Sequence, residues 1–262
     1  MDEGDLVWLD IDTHIVGTDE LFDTTSYEVA KAAGALPDHD HDGADHKVED
    51  HYGPRAILVG KGRLPPGLED AILAAAVGNA ATIEVPPEQG YGDRDPKLVE
   101  VLSRNELLRL PEFRKEGIEP FVGMTVTVRN RSGVITGATA GRVRVDFNNR
   151  LAGKTLRYTF TVREKVTAPA EQVRALVELH YGHSTKFTIT YIEEESAATI
   201  VLAERCKTDL RWHTVKLALV RDLRSVVDLR RIDLVESYIK TDAPEAVDDS
   251  EADASDAGGE EE

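Results

Sequence analysis

The stretch Leu151–Leu156, with the sequence LAGKTL, is the last of four short blocks that decide the fold of this chain. The three earlier blocks are FDTT at Phe22–Thr25, LPPGLE at Leu64–Glu69, and VPPE at Val85–Glu88, which runs into Tyr91-Gly92. A long gap separates the third block from the fourth. Strand-like alternation returns after the gap, in residues 156–166, which predicts that the last strand of the first domain follows an inserted unit.

The segments around these blocks predict an α+β domain. Residues 6–22 alternate between apolar and polar side chains well enough for a strand pair. A short helix is predicted at residues 66–76, with Pro near its start and Gly after its end. Residues 156–166 alternate again and can complete the sheet. The predicted fold is an antiparallel half-barrel wrapped on a short helix, built from residues 1–92 and 150–166.

Three further segments complete the predicted organisation. Residues 93–149 contain short β-branched runs separated by turns, which is typical of a small β-rich inserted domain. Residues 167–240 predict a C-terminal α+β domain with an apolar helical stripe that includes Trp212 and Leu219. A domain this small has a thin core, which favours pairing with a second copy as a homodimer. Residues 241–262 hold ten acidic and no basic residues, the composition of a disordered tail.

Composition excludes several classes of partner. The net charge of −18 opposes binding to nucleic acid, because phosphate contacts require clustered Lys and Arg. The same charge would suit a halophilic protein that stays soluble at high salt. No stretch approaches the roughly 20 apolar residues that span a membrane, and the N-terminus lacks the features of a secretory signal. With Cys206 as its only cysteine, the chain suits a reducing compartment, so we expect a cytoplasmic location.

The four blocks, taken in order, resemble the FKBP-type peptidyl-prolyl cis-trans isomerases. The gap lies where the SlyD-like branch of that family carries an insert-in-flap domain that binds unfolded chains. Residues 168–240 resemble the C-terminal extension of the long archaeal FKBPs, which is linked to self-association. The resemblance implies an isomerase with chaperone activity, whose partners are unfolded or proline-containing polypeptides.

The chemistry of prolyl isomerisation explains why no catalytic triad is visible in the sequence. The bond before proline crosses a barrier of about 18–20 kcal/mol, and its amide is twisted at the summit. An apolar cleft favours this less dipolar state, and a few hydrogen bonds can hold it. Such a site requires no nucleophile, metal or cofactor.

The resemblance also implies which residues line the cleft. The hydroxyl of Tyr91 would donate to a substrate carbonyl, Asp23 would accept hydrogen bonds that orient the cleft, and the others would form apolar walls. Leu102 is a further wall candidate. The predicted catalytic residues are Phe22, Asp23, Ile57, Leu64, Pro65, Leu68, Tyr91 and Tyr158.

Two positions depart from the family pattern. Asp12 stands ten residues before Phe22, where the family usually has Tyr, and a carboxylate facing an apolar cleft is costly unless it is paired. Pro65 replaces the usual Ile and removes a backbone donor. An alternative function is therefore a client-binding chaperone with little isomerase activity.

Apolar residues of the insert suggest how it would hold clients. Exposed on a β surface, they could bind extended unfolded segments without sequence preference. The alternative interpretation is that they form the core of the insert. The candidates are Leu107, Leu108, Leu110, Phe113 and Phe121.

A polar loop offers a third candidate function. His39, His41, His46 and His51 lie within thirteen residues and alternate with aspartates. Imidazole and carboxylate groups on one loop could bind Ni²⁺ or Zn²⁺, which would make the chain a metal-handling protein. The alternative interpretation is a solvated polar loop in an acidic protein.

Overall fold

A computed structural model of the protein describes residues 1–36, 48–110, 113–114, 118–182 and 184–238. Twelve strands and five α-helices lie within this described part. The strands are β1 Leu6–Ile15, β2 Glu20–Thr24, β3 Arg55–Leu58, β4 Ala80–Val85, β5 Val99–Ser103, β6 Thr125–Val128, β7 Arg131–Ala138, β8 Arg142–Asp146, β9 Leu156–Lys165, β10 Thr188–Ile192, β11 Ala197–Val201 and β12 Arg231–Val235. The helices are α1 Tyr27–Ala32, α2 Pro66–Ala74, α3 Arg104–Leu107, α4 Pro169–His180 and α5 Leu210–Val226.

The first sheet is antiparallel and is organised around β1. Its order is β2-β1-β9-β4, and β3 pairs with the first half of β1 on the edge where β2 pairs with the second half. The long β1·β9 ladder joins the start of the chain to the segment after the insert, for example Thr13 to Tyr158. The α+β class and the antiparallel sheet predicted from the sequence are confirmed.

Helix α2 covers one face of this sheet. Pro66 occupies its first turn, where a missing N–H costs nothing, and Leu68 and Ile72, four residues apart, both point into the core. Gly67 packs so closely that a Cβ there would lie 2.9 Å from Cγ1 of Val85. Glycine therefore lets the start of α2, which carries part of the cleft, sit directly on β4.

The insert forms a second, four-stranded antiparallel sheet with the order β5-β8-β7-β6. Its core contains Leu102, Leu107 and Phe113, all buried. The expectation that Leu102 lines the catalytic cleft is therefore wrong. Leu107 and Phe113 are likewise unavailable for client binding, because the small sheet needs them for its own core.

The C-terminal unit shares a hydrophobic core with the first sheet. Strands β10, β11 and β12 pack against α4 and α5, and β11·β12 is a parallel pair. Leu6 on β1 and Leu58 on β3 join this core, whereas Val7 and Leu9 face α2 on the opposite side. Because side chains alternate along a strand, β1 is covered on both faces and ties the two units together.

A buried charged cluster lies at the contact between these units. Asp222 on α5 is ion-paired with Arg63, two residues before the cleft residue Pro65, and its Oδ2 lies 2.9 Å from Nε2 of His180 on α4. Burial alone would raise the pKa of Asp222, but the hydrogen bond from His180 and the charge of Arg63 hold it below its ordinary value. The fold therefore favours the ionised carboxylate.

We predict that Asp222→Ala destabilises the protein by about 3 kcal/mol in urea unfolding, because removing one partner leaves buried groups unpaired. The lowered pKa of Asp222 determines how this stabilisation changes with pH. The stabilisation is complete above the unfolded-state pKa of about 3.9 and is lost as pH falls further, so the difference between wild type and variant should shrink in acid. The control is Glu171→Ala, which breaks an exposed pair with Arg174 and should cost less than about 1 kcal/mol. Equal effects of the two substitutions would contradict the prediction.

Candidate active site

An apolar cleft opens between the first sheet and the start of α2, with a cavity volume of about 160 Å³. Small-molecule sites usually enclose about 300–1,000 Å³, so this cleft has room for one side chain of a polypeptide. The structure brings all eight residues singled out in the sequence to its lining. The full lining is Leu9, Ile11, Thr13, Phe22, Asp23, Arg55, Ile57, Leu64, Pro65, Leu68, Tyr91, Leu151 and Tyr158.

The floor of the cleft comes from β1 and β9. Leu9, Ile11 and Thr13 alternate along β1 and point to the same face. Tyr158 on β9 lies opposite Thr13 in the ladder. The floor exists only because the strand after the insert returns to pair with β1.

Asp12 does not face the cleft. Adjacent strand residues point to opposite faces, and the neighbour Thr13 is the one that lines the cleft. The Asp12 carboxylate instead accepts a hydrogen bond from the hydroxyl of Thr24. The prediction that the Asp12 carboxylate faces the apolar cleft is therefore wrong. The residue that does so is its neighbour, Thr13.

Asp23 is held at the edge of the cleft by Arg55 on β3. Both terminal nitrogens of Arg55 donate to the carboxylate, at 2.5 and 2.7 Å, in a bidentate pair. The hydrogen bond to Asp23 raises the pKa of Arg55 above its ordinary value. The carboxylate therefore accepts two hydrogen bonds at this edge of the cleft, from an Arg55 that the sequence did not identify.

Tyr91 lies at the rim on a loop fixed by backbone hydrogen bonds. The amide of Gly92 donates to Pro87 O at 2.7 Å, and the amide of Gly153 donates to Gly92 O at 2.8 Å. Gly92 adopts a φ of +76°, a left-handed conformation that favours glycine. The loop thus joins the two chain segments that flank the insert and presents Tyr91, 41% exposed, to an incoming substrate.

The two cleft tyrosines keep their protons. Burial, with a contribution from the charge of Asp23, raises the pKa of Tyr91 above its ordinary value. Burial, with the proximity of Tyr91, raises the pKa of Tyr158 much further. Both hydroxyls are therefore hydrogen-bond donors at neutral pH.

Five lining residues were missed in the sequence. Leu9, Ile11 and Thr13 belong to the alternating pattern that predicted β1. Because every second residue of a strand points to the same face, this pattern could have identified them as one side of the cleft. Leu151 begins the LAGKTL block itself. Arg55 had no such signal, because its role depends on β3 lying beside Asp23.

A second depression of about 320 Å³ lies beside the cleft and shares Arg55 and Ile57 with it. Its lining is more polar and includes Glu178 of α4 together with Gly53 and Pro54. Stabilising a less dipolar amide needs an apolar wall, so the smaller cleft is the candidate active site.

The described residues contain no group of three or more His, Cys, Asp or Glu side chains arranged to hold a metal ion. His51 lies in a short 3₁₀ turn at Val48–His51. His39, His41 and His46 lie outside the described residues. Within the described part of the chain, no helix is long and apolar enough to cross a membrane.

A small apolar cleft with two tyrosine donors, carried by a sheet wrapped on a short helix, is the kind of site that can enclose one side chain of a substrate. Three family models match the chain. The model for FKBP-type peptidyl-prolyl cis-trans isomerase matches residues 38–108, the FKBP26 IF domain matches residues 106–151, and the FKBP26 C-terminal domain matches residues 169–239.

Curated relatives agree with these matches. A short-type peptidyl-prolyl cis-trans isomerase of Methanocaldococcus jannaschii is 32% identical over 172 residues, covering 64% of this chain and 96% of the relative. An FKBP-type 16 kDa isomerase of Escherichia coli is 31% identical over 42% of this chain and 73% of its own length. SlyD of Helicobacter pylori is 33% identical over 42% of this chain and 57% of its own length. The chain belongs to the FKBP-type peptidyl-prolyl cis-trans isomerases, which require no cofactor.

Proposed function

We propose that this isomerase twists X-Pro bonds in the cleft described above. The apolar pyrrolidine ring of the substrate fills the space above Leu9, Ile11 and Leu68. The hydroxyl of Tyr91 donates to the substrate carbonyl at the rim. The observation that carries this proposal is the convergence of eight residues, taken from four distant parts of the sequence, on one small apolar cleft.

The cleft favours the twisted amide because its walls are apolar and its hydrogen-bond donors are held in fixed positions. A planar amide has a large dipole, and the apolar walls solvate it poorly relative to the less dipolar twisted form. Pro65 lines the wall and has no backbone N–H, so the hydrogen bonds to substrate come from side chains. The pair formed by Asp23 and Arg55 fixes that edge of the cleft while the substrate rotates.

In a refolding assay limited by proline isomerisation, we expect the wild-type protein to accelerate the slow phase. The Tyr91→Ala variant should be about tenfold less effective, because it loses a hydrogen bond to the substrate and packing in the cleft. Tyr238→Ala, at an exposed tyrosine outside the cleft, is the matched control and should leave the rate unchanged. Suppressed aggregation without acceleration by the wild-type protein would favour the alternative, a chaperone with little isomerase activity.

We also propose that the insert holds unfolded clients beside the cleft, so that residues 1–92 with 150–166 act as the isomerase domain and residues 93–149 as the chaperone domain. Phe121 and Val122 are 57% and 61% exposed and are adjacent in sequence. An exposed apolar surface of this kind binds extended chains without reading their sequence. The short connection through Gly92 and Gly153 keeps the client near the catalytic cleft.

Replacing both Phe121 and Val122 with Ser should weaken the suppression of aggregation of a denatured model protein at least severalfold. Isomerisation of a short proline peptide should stay within about twofold of wild type, because neither residue lines the cleft. Val77→Ser, at a similarly exposed valine of the first domain, controls for loss of apolar surface alone. If the wild type, the double variant and Val77→Ser suppress aggregation equally, clients bind outside the insert and the proposal is wrong.

We propose that the C-terminal domain, residues 167–240, mediates self-association. Leu210 and Leu217 lie seven residues apart on α5, on one face, and are 81% and 75% exposed. Large exposed apolar side chains on one helix face are characteristic of a surface that a partner covers.

Sedimentation velocity at micromolar concentration should therefore detect a dimer. Leu217→Glu should shift it to monomer, since the charge would be desolvated in the interface. Val77→Glu introduces the same charge on a surface far along the chain and should leave the dimer intact. A wild-type monomer across the concentration range would exclude the proposal.

A further inference from the structure

Tyr158 lines the cleft, and its hydroxyl is buried without a hydrogen-bond partner. The residue is 3% exposed, and its hydroxyl is one of two buried side-chain polar atoms in the described chain that have no hydrogen-bond partner. A weak hydrogen-bond contact with the hydroxyl of Tyr91 contributes to the raised pKa of Tyr158, but its geometry falls short of a full hydrogen bond. The other such atom, Nε1 of Trp212, belongs to the aromatic core of the C-terminal unit and does not line this cleft.

An unpaired buried hydroxyl is unfavourable for the fold. Leaving a buried donor unsatisfied is destabilising, and a phenylalanine at this position would keep the same ring without that cost. Unsatisfied polar groups of this kind occur where a ligand supplies the missing partner. The polar residues Thr13, Asp23 and Arg55 also line the cleft but give this hydroxyl no hydrogen bond, so a substrate bound in the cleft can supply the missing partner.

Depth distinguishes the two tyrosines. Tyr91 is 41% exposed and Tyr158 only 3%, so in the proposed binding mode the substrate backbone passes Tyr91 and the pyrrolidine ring enters above Tyr158. The ring nitrogen of a planar amide has no free lone pair, because the pair is delocalised into the carbonyl. When the amide twists, delocalisation is lost and the nitrogen becomes a hydrogen-bond acceptor. A donor at the floor therefore meets an acceptor that exists only near the transition state.

We propose that Tyr158 is a catalytic residue whose hydroxyl donates a hydrogen bond to the prolyl nitrogen as the X-Pro amide twists. The inference rests on the proposed function of the cleft and assigns different roles to its two tyrosines. Tyr91 binds the carbonyl oxygen in both planar and twisted states, whereas Tyr158 binds the twisted state alone. An interaction made only in the transition state raises kcat without lowering KM. The high pKa of Tyr158 keeps the donor protonated throughout the physiological range.

The test is Tyr158→Phe in the full chain, with a chromogenic tetrapeptide that contains one X-Pro bond. We expect kcat to fall about tenfold, the value of one hydrogen bond of about 1.4 kcal/mol, while KM stays within about twofold. Stability in urea should be unchanged or higher, because the substitution removes an unpaired buried hydroxyl. A structural role predicts the reverse, a loss of stability with no selective effect on kcat.

Two further variants sharpen the result. Tyr181→Phe removes a buried hydroxyl that donates to Asp209 at 2.8 Å, so it should lower stability and leave kcat unchanged. Adding Tyr158→Phe to Tyr91→Phe should lower kcat further than Tyr91→Phe alone, although neighbouring residues need not give strictly multiplicative effects. If the double variant equals Tyr91→Phe alone, Tyr158 acts through Tyr91 and the proposal is wrong.

The failure of this inference can be told apart from failure of the proposed function. An active wild type whose kcat is unchanged by Tyr158→Phe overturns the inference alone. A wild type whose activity on the tetrapeptide is insensitive to Tyr91→Ala overturns the assignment of the cleft.

Discussion

The antiparallel pairing of β1 with β9 is the constraint on which the rest of the structure depends. The ladder runs from Val7↔Lys165 to Ile15↔Leu156, and it closes one domain around an insert that interrupts the chain. Closing a long loop costs entropy that grows only slowly with loop length, so an insert is tolerated if the returning strand buries enough surface. Leu156, Phe160 and Val162 are all buried in β9. The same register places Tyr158 opposite Thr13 and so builds the floor of the cleft.

The two faces of β1 connect the cleft to the C-terminal unit. Leu9 and Ile11 point into the cleft, while Leu6 packs against the core that α4 and α5 complete. The ion pair between Arg63 and Asp222 adds a polar contact just before the cleft wall. The cleft-bearing and C-terminal units therefore meet at β1, at β3 and at the loop that carries Arg63.

Much of the fold was predictable, because its signals are local. The period of two in residues 6–22 and 156–166 predicted β1, β2 and β9, and Pro66 marked the start of α2. Six of the eight predicted cleft residues lie in short blocks whose order resembles a known family, and the same resemblance pointed to Ile57 and Tyr158 on neighbouring strands. Errors arose where register or long-range packing decides. Asp12 was placed in the cleft instead of Thr13, and Leu102 was assigned to the cleft although it belongs to the core of the insert.

The sequence by itself determined the family, the α+β class and the residue types available to an apolar cleft, because these follow from short motifs and from periodicity along the chain. Only the tertiary structure decided which face of β1 meets the cleft, that Arg55 orients Asp23, and that the Tyr158 hydroxyl is buried without a partner. Each of these depends on atoms far apart in sequence being brought within a few ångströms. Hydrogen bonding and desolvation act over that distance, and no pattern along the chain records it.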